Sequence, residues 1–220
     1  MEKILIVCAH PDDETFGMGG TIYQHTKNKD QVFVLIFATG QLGRDETDSG
    51  INKRKNQCMK ACSMLGANKI EFLDYKDQNL DMVPLSELSI KIEKIITKWK
   101  PSVVYTHFWG DVNQDHKRVF EATNIATRPL PNSKIKQMIC FETPSTTEWG
   151  SDGFKPNYFV EIKSSINKKI SAAKKYNKEF HNFPHPCSEE SFIARSKYWG
   201  SQMGTKNAEA FIIFRNIQRE

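Results

Sequence analysis

Residues 3–14, KILIVCAHPDDE, decide the fold of this chain. Residues 4–9 are all apolar, which is typical of a strand buried on both faces of a sheet. The run then ends in one imidazole and three carboxylates within residues 10–14. Open α/β sheets bind their ligands beyond the carboxyl ends of their strands, so residues 10–14 form the first candidate site segment.

Apolar runs of strand length alternate with helical patterns along the rest of the chain. The predicted strands are 3–9, 31–38, 69–73, 102–106, 136–142, 158–162 and 210–214, and the predicted helices are about 19–29, 52–65, 85–99, a lysine-rich segment after residue 162, and 189–202. Gly66 and Pro101 are plausible helix stops. This order predicts an α/β fold with a Rossmann-like, doubly wound, mainly parallel sheet and helices on both faces. We expect residues 1–220 to form a single domain.

Composition excludes several classes of protein. The chain has 220 residues, 39% of them hydrophobic, and no apolar run approaches the roughly 20 residues of a membrane-spanning helix. The N-terminal apolar run is too short for a signal peptide, so we expect a cytoplasmic protein. The net charge of +5 comes from scattered lysines without a nucleic-acid-reading motif, which favours a solvated surface and no nucleic-acid partner. Five cysteines without a C-x-x-C pair indicate buried, reduced thiols.

Metal-ligating residue types follow two strands that should be neighbours in the sheet. Residues 10–14 follow the first strand, and residues 106–116 follow the fourth and end in Asp115-His116. Two histidines and a carboxylate are the ligand set of a catalytic zinc site with a fourth position left for water. Asp115 is placed to orient a ring nitrogen of the adjacent His116. The alternative is a solvated acidic turn in which an Asp caps the next helix.

Taken together, these motifs resemble the PIG-L/LmbE-like family of zinc-dependent N-acetyl-sugar deacetylases. The resemblance rests on residues 10–14 after a first strand and on Asp115-His116 about a hundred residues later, and it covers most of the chain. It implies that His10, Asp13 and His116 bind one Zn²⁺ per chain. Iron(II) is an alternative because two histidines and one carboxylate tolerate both metals.

The resemblance also implies roles for residues around the metal. Asp12 would be the general base, and Arg54 would hold substrate hydroxyls or a phosphate. Many members of the family have a histidine where this chain has Asn113, which can donate a hydrogen bond to an oxyanion but cannot carry a proton. Either Asp12 then performs both proton transfers, or another group such as His185 supplies the acid.

Three of the remaining candidates allow two interpretations each. Glu142 either lines the pocket and contacts substrate or anchors a loop, while Trp109 and Trp149 either stack on a sugar or pack their loops. We expect His107 to be a buried structural histidine. Finally, His25 and His181 fall within helical patterns, and we expect both at the surface.

The predicted function is hydrolysis of the N-acetyl group of an N-acetylglucosamine-type conjugate, which releases acetate and an amino sugar. The partner is then a small molecule, the basic surroundings favour an anionic one, and a homo-oligomer is consistent with the resemblance. The alternative is a non-catalytic sugar- or nucleotide-binding protein that keeps the metal. An ordinary dinucleotide-binding module is disfavoured because no G-x-G-x-x-G follows the first strand.

Overall fold

A computed structural model describes residues 1–41 and 47–218. Within them the strands are β1 (Lys3–Cys8), β2 (Gln31–Ala38), β3 (Lys69–Tyr75), β4 (Val103–His107), β5 (Gln137–Phe141), β6 (Tyr158–Glu161) and β7 (Ala208–Asn216). The helices are α1 (Asp13–Lys27), α2 (Asp48–Leu65), α3 (Leu85–Trp99), α4 (Gln114–Ala126), α5 (Ile166–Ala173) and α6 (Glu189–Met203). Short 3₁₀ turns lie at Leu80–Met82 and Thr147–Trp149.

The strands form one sheet in the order β3-β2-β1-β4-β5-β7-β6. The pairs from β3 to β5 are parallel, whereas β7 runs antiparallel to both of its neighbours. The predicted mainly parallel, doubly wound sheet is therefore confirmed. The strand order reverses between β1 and β4, and a crevice at such a switch point is where ligands of these sheets bind.

Both faces of the sheet are covered by helices. Alternate residues of β1 divide between two cores: Ile4 and Ile6 belong to the core that includes side chains of α1, α2, α5 and α6, while Leu5 and Val7 belong to the core that includes side chains of α3 and α4. All four side chains have no exposed surface. This division explains why the β1 sequence is apolar throughout rather than alternating, because a strand with two covered faces has no solvent side.

The first helix begins at Asp13, six residues before the predicted start at residue 19. The reason is a kink: Met18 has non-helical angles, so α1 consists of two helical pieces, and the sequence pattern detects only the second. The N–H groups of Gly20 and Thr21, just after the kink, donate to the buried carboxylate of Glu209 in β7, at 3.0 and 2.7 Å.

The other boundaries differ less from the prediction. Helix α2 begins at Asp48 rather than 52 because the Thr47 side chain caps it, accepting the Gly50 N–H at 3.2 Å. All five cysteines are buried free thiols. In the part of the chain that is described, no helix combines the length and apolar character needed to cross a bilayer.

Candidate metal centre and active site

A cavity of about 320 Å³ opens at the carboxyl edge of the sheet, where the segments after β1, β4 and β5 meet. A further wall comes from residues 179–187, between α5 and α6. Most of the site residues predicted from the sequence line this cavity: His10, Asp12, Asp13, Arg54, Asn113, His116 and His185. The switch point in the strand order thus brings together residues that lie about a hundred positions apart in the chain.

Three of these side chains offer a ligand set for a metal ion. One ligand atom each from His10, Asp13 and His116 lies within 4.8 Å of the others, and all three residues are buried. Asp13 Oδ2 is 3.6 Å from His10 Nδ1, and Asp13 Oδ1 is 3.4 Å from His116 Nε2. Ligand atoms about 2.0 Å from a tetrahedral zinc are separated by about 3.3 Å, so the donor set and its spacing fit a zinc ion.

His10 is oriented by two carboxylates from other parts of the chain. Its Nε2 lies 3.0 Å from Asp115 Oδ2 and 3.0 Å from Asp77 Oδ1. Burial lowers the pKa of His10, but hydrogen bonds to these two carboxylates raise it well above its ordinary value. Because Nε2 is engaged, Nδ1 is the nitrogen left to bind a metal. Asp115 therefore orients His10, and the expectation that it orients the adjacent His116 is wrong.

His116 is accompanied by a carboxylate that sequence reasoning missed. Its Nδ1 lies 3.3 Å from Oδ2 of the fully buried Asp111, although the direction is poor for a hydrogen bond. The same oxygen accepts the hydroxyls of Thr146 and Thr147 at 2.9 and 2.6 Å. The pKa of His116 rises to about 9, since the charges of Asp13 and Asp111 outweigh the opposing effect of burial. A metal that binds His116 must therefore displace a proton from its ring.

His107 is buried, as expected. It is fully buried, and its ring stacks on His116 with centroids 3.9 Å apart and planes 10° apart. Its Nε2 accepts the Ala9 N–H at 2.9 Å, and its Nδ1 lies 3.2 Å from the Thr143 hydroxyl. Burial and the charge of His116 lower the pKa of His107 to about 4, so the ring is neutral. The Nε2 lone pair is already used and does not serve as a metal ligand.

Asp12 projects into the cavity beside the proposed ligands. Its Oδ2 accepts a 2.7 Å hydrogen bond from Arg54 Nη2. Burial raises the pKa of Asp12 to about 8; the Arg54 charge opposes this shift and the Asp13 charge adds to it. A carboxylate whose pKa lies near neutrality is suited to accept and return a proton.

Arg54 is almost fully buried in the cavity wall. Its Nη1 is 3.1 Å from Glu179 Oε1, and its CZ atom lies 5.3 Å from the centre of the Tyr176 ring. The Nε and Nη1 groups have no well-directed hydrogen-bond acceptor. The buried Nε–H group can donate a hydrogen bond to an oxygen atom of a ligand.

Asn113 caps α4, and the cap fixes the orientation of its side chain. Its Oδ1 accepts the N–H groups of Asp115 and His116 at 2.9 and 3.4 Å. Because the carbonyl end of the amide is engaged with the helix, the NH₂ end remains to donate into the cavity that Asn113 lines. The geometry thus supplies a hydrogen-bond donor to the cavity at position 113.

Two further predictions receive different outcomes. Glu142 lines a smaller neighbouring cavity, and its two oxygens accept hydrogen bonds of 2.6 Å from Arg195 and Trp199. These contacts match the loop-anchoring interpretation and place Glu142 apart from the described lining of the main cavity. His185 lines the main cavity, and its Nδ1 accepts the Cys187 N–H at 3.0 Å. In the neutral ring the proton is then on Nε2.

The structure also shows where the other histidines and tryptophans of the sequence prediction lie. His181 is exposed as expected, but it lies outside the helices, lines the cavity and packs against the His185 ring at 4.1 Å. His25 is partly buried, with Nδ1 2.9 Å from Asp30. Trp109 packs against neighbouring phenylalanines, whereas the Trp149 side chain is 63% exposed. Asp77 and Glu179 line the cavity although the sequence contained no motif for them, and Asp111 lies in the predicted segment 106–116 without a predicted role.

Comparison with known proteins finds one family model and several relatives that are named as deacetylases. The family described as GlcNAc-PI de-N-acetylase, PIG-L, matches residues 5–127. Diacetylchitobiose deacetylase of Thermococcus kodakarensis is 26% identical over 95% of this chain and 82% of its own length. An uncharacterized deacetylase of Escherichia coli, YaiS, is 31% identical over 79% of this chain and 89% of its own length. A probable N-acetyl-α-D-glucosaminyl L-malate deacetylase of Bacillus anthracis is 26% identical over 80% and 81%.

Solved structures share the whole fold. The conserved protein TT1542 of Thermus thermophilus superposes with a TM-score of 0.80 at 22% identity, over 100% of this chain and 98% of its own. GalB of Pseudomonas putida, a 4-carboxy-2-hydroxymuconate hydratase, superposes with a TM-score of 0.76 at 21% identity, over 100% and 99%. Proteins with different reactions thus share this architecture, so the fold alone does not decide the chemistry.

Proposed function

The chain belongs to the PIG-L family of GlcNAc-PI de-N-acetylases, and we propose that it is a metal-dependent hydrolase of N-acetylated sugars. Its substrate would be an N-acetylglucosamine-type conjugate, and its products acetate and an amino sugar, with residues 1–220 acting as one deacetylase domain. The observation that carries the proposal is the buried set of His10, Asp13 and His116 with Asp12 beside it.

We propose that His10 Nδ1, the Asp13 carboxylate and His116 Nε2 hold one Zn²⁺ per chain, with iron(II) as the alternative occupant. When bound, the metal supplies Lewis acidity that polarises the acetamide carbonyl and acidifies water. Asp115 and Asp77 would keep the His10 ring in place, and Asp111 would do the same for His116. Partners of this kind fix the tautomer and the orientation of a metal-binding imidazole.

Asp12 is the proposed general base. Its carboxylate takes a proton from the attacking water as the new C–O bond forms at the acetamide carbon. When the C–N bond breaks, the same group returns the proton to the departing amine, so one residue performs both transfers. The hydrogen bond from Arg54 to Oδ2 leaves Oδ1 for this exchange.

Asn113 is the proposed hydrogen-bond donor to the oxyanion of the tetrahedral intermediate. Asn113→Asp keeps acceptor oxygens for the α4 cap but replaces the donor with a negative charge. We expect kcat to fall by about 10²–10³-fold with the metal content unchanged, which acetate assays and metal analysis would measure. Asn113→Ser, which also caps helices, separates loss of the donor from the added charge. An unchanged kcat in both variants would remove Asn113 from the mechanism.

Substrate contacts are proposed for two residues that line the cavity, Arg54 and His185. Arg54 offers its Nε–H, which has no hydrogen-bond acceptor, and neutral His185 offers Nε2–H; both are donors suited to sugar oxygens. The charge of Arg54 is already offset by Asp12 and Glu179 at 2.7 and 3.1 Å. Arg54 therefore gives no reason to favour an anionic conjugate over a neutral one.

The test is acetate release from a panel of N-acetylated compounds by the zinc-loaded protein. The panel contains N-acetylglucosamine, N,N′-diacetylchitobiose, an N-acetylglucosaminyl malate and N-acetylglycine as the control without a sugar. We expect turnover of at least one sugar conjugate and none of N-acetylglycine. If the protein binds zinc and the sugars but releases no acetate, the alternative of a non-catalytic binding protein is correct.

A further inference from the structure

The backbone of Asp12 adopts a conformation that L-residues rarely take. Its φ is 124° and its ψ is −30°, and it occupies the N-cap of α1, where its carbonyl accepts the Thr15 and Phe16 N–H groups at 3.0 and 2.8 Å. Such a conformation persists only where the surroundings hold it. The groups that hold Asp12 therefore determine where its carboxylate lies.

Glu14 supports Asp12 through the backbone. Glu14 has no exposed surface, and its Oε2 accepts the Asp12 N–H at 3.0 Å. Its Oε1 accepts two hydroxyls, Thr15 at 2.6 Å and Tyr176 at 2.5 Å. Donors thus reach both oxygens and fix the carboxylate in one orientation.

The side chain of Tyr176 reaches Asp12 by two routes. Its hydroxyl donates to Glu14, and its ring lies beneath the Arg54 guanidinium, whose Nη2 donates to Asp12 Oδ2 at 2.7 Å. Tyr176 is fully buried and makes an edge-to-face contact with Phe16, 5.7 Å between centroids. Tyr176 therefore contacts both Glu14, which holds the Asp12 backbone, and Arg54, which holds the Asp12 carboxylate.

We propose that Glu14 and Tyr176 are positioning residues of the deacetylase reaction, which hold Asp12 where it can act as the base. This inference rests on the proposed function. Glu14 also lies near the thiols of Cys58 and Cys62, at distances that a metal could bridge. The hydroxyl groups of Thr15 and Tyr176 donate to Glu14 Oε1, and their protons would repel a cation there. We therefore interpret the cluster as a support, or brace, that holds Asp12, and not as a second metal site.

Tyr176→Phe tests the proposal because it removes one hydroxyl and keeps the buried ring. We expect kcat to fall about tenfold with KM and zinc content unchanged, since a hydrogen bond to a charged group is lost. The matched control is Tyr105→Phe, because Tyr105 is equally buried and its hydroxyl lies 3.2 Å from His25 Nε2, outside the site. The control should keep the wild-type kcat.

Glu14→Gln should have the larger effect, about a hundredfold in kcat, because its NH₂ group would face an N–H or O–H donor. Adding Tyr176→Phe to it should lower kcat no further, since both act through the same carboxylate. Fully additive losses would mean that Tyr176 does not act through Glu14. If Glu14→Gln fails to fold, Tyr176→Phe and its control decide alone.

Amide hydrogen exchange in the metal-free protein gives a readout that does not depend on deacetylation. We expect the Asp12 N–H to exchange about tenfold faster in Tyr176→Phe than in the wild type, with no change in Tyr105→Phe. Unchanged exchange together with unchanged kcat would overturn the proposal. If exchange accelerates while no N-acetyl sugar is ever hydrolysed by the wild type, the brace exists and the proposed function is wrong.

Discussion

Replacing Asp12 by asparagine is expected to lower kcat about 10³-fold while the protein keeps its metal. The amide has nearly the same shape but accepts no proton, so water would lose its base and the amine its acid. Arg54 would keep a hydrogen-bond acceptor at 2.7 Å, which limits the change in structure. The measurement is acetate release at saturating substrate, with zinc per chain determined on the same samples.

The control for this variant is Asp81→Asn, which removes an exposed carboxylate in the 3₁₀ turn after β3. It should retain the wild-type kcat. Wild-type turnover in Asp12→Asn would show that another group takes the proton. Loss of zinc in Asp12→Asn would instead show that Asp12 belongs to the ligand set.

Replacing His116 by alanine is expected to abolish both metal retention and turnover. The variant removes one of three protein ligands. A catalytic zinc site needs three protein ligands and one open position, and only two ligands would remain. We expect zinc affinity to fall more than about a hundredfold, beyond the 10–100-fold typical of losing an outer partner such as Asp111. Competition with a chromophoric chelator measures this affinity directly.

His185→Ala is the matched control, because His185 lines the same cavity but lies outside the ligand cluster. It should keep the zinc affinity of the wild type and change KM. A His116→Ala protein that binds zinc with full affinity would show that the ligand set of His10, Asp13 and His116 is wrong.

The fold could be predicted because the decisive pattern is local. An apolar run such as residues 4–9 has no solvent face, and its repetition between helical patterns leaves few alternatives to a covered parallel sheet. The start of α1 was missed because the kink at Met18 is stabilised by Glu209, almost two hundred residues away. A sequence window around α1 contains no sign of that contact.

The candidate site was predictable as far as its motif extends. Residues 10–14 and 113–116 carry recognisable chemistry in a short span, and the sheet order brings them together. The roles proposed for Asp77, Asp111 and Tyr176 could not be identified because each contacts a residue of the motif from a loop whose path the sequence pattern does not define. The pairing of Asp115 with His10 was missed for the same reason, since neighbours in sequence on α4 point to different partners.

The most direct measurement of the central claim is zinc titration of the metal-free protein while acetate release from an N-acetylglucosamine conjugate is followed. Turnover should be near zero without metal, should rise in proportion to added zinc and should level off at one equivalent per chain. The same titration of His116→Ala should give no turnover at one equivalent. Full acetate release by the metal-free wild type, or none at any zinc concentration with every conjugate of the panel, would contradict a metal-dependent sugar N-deacetylase.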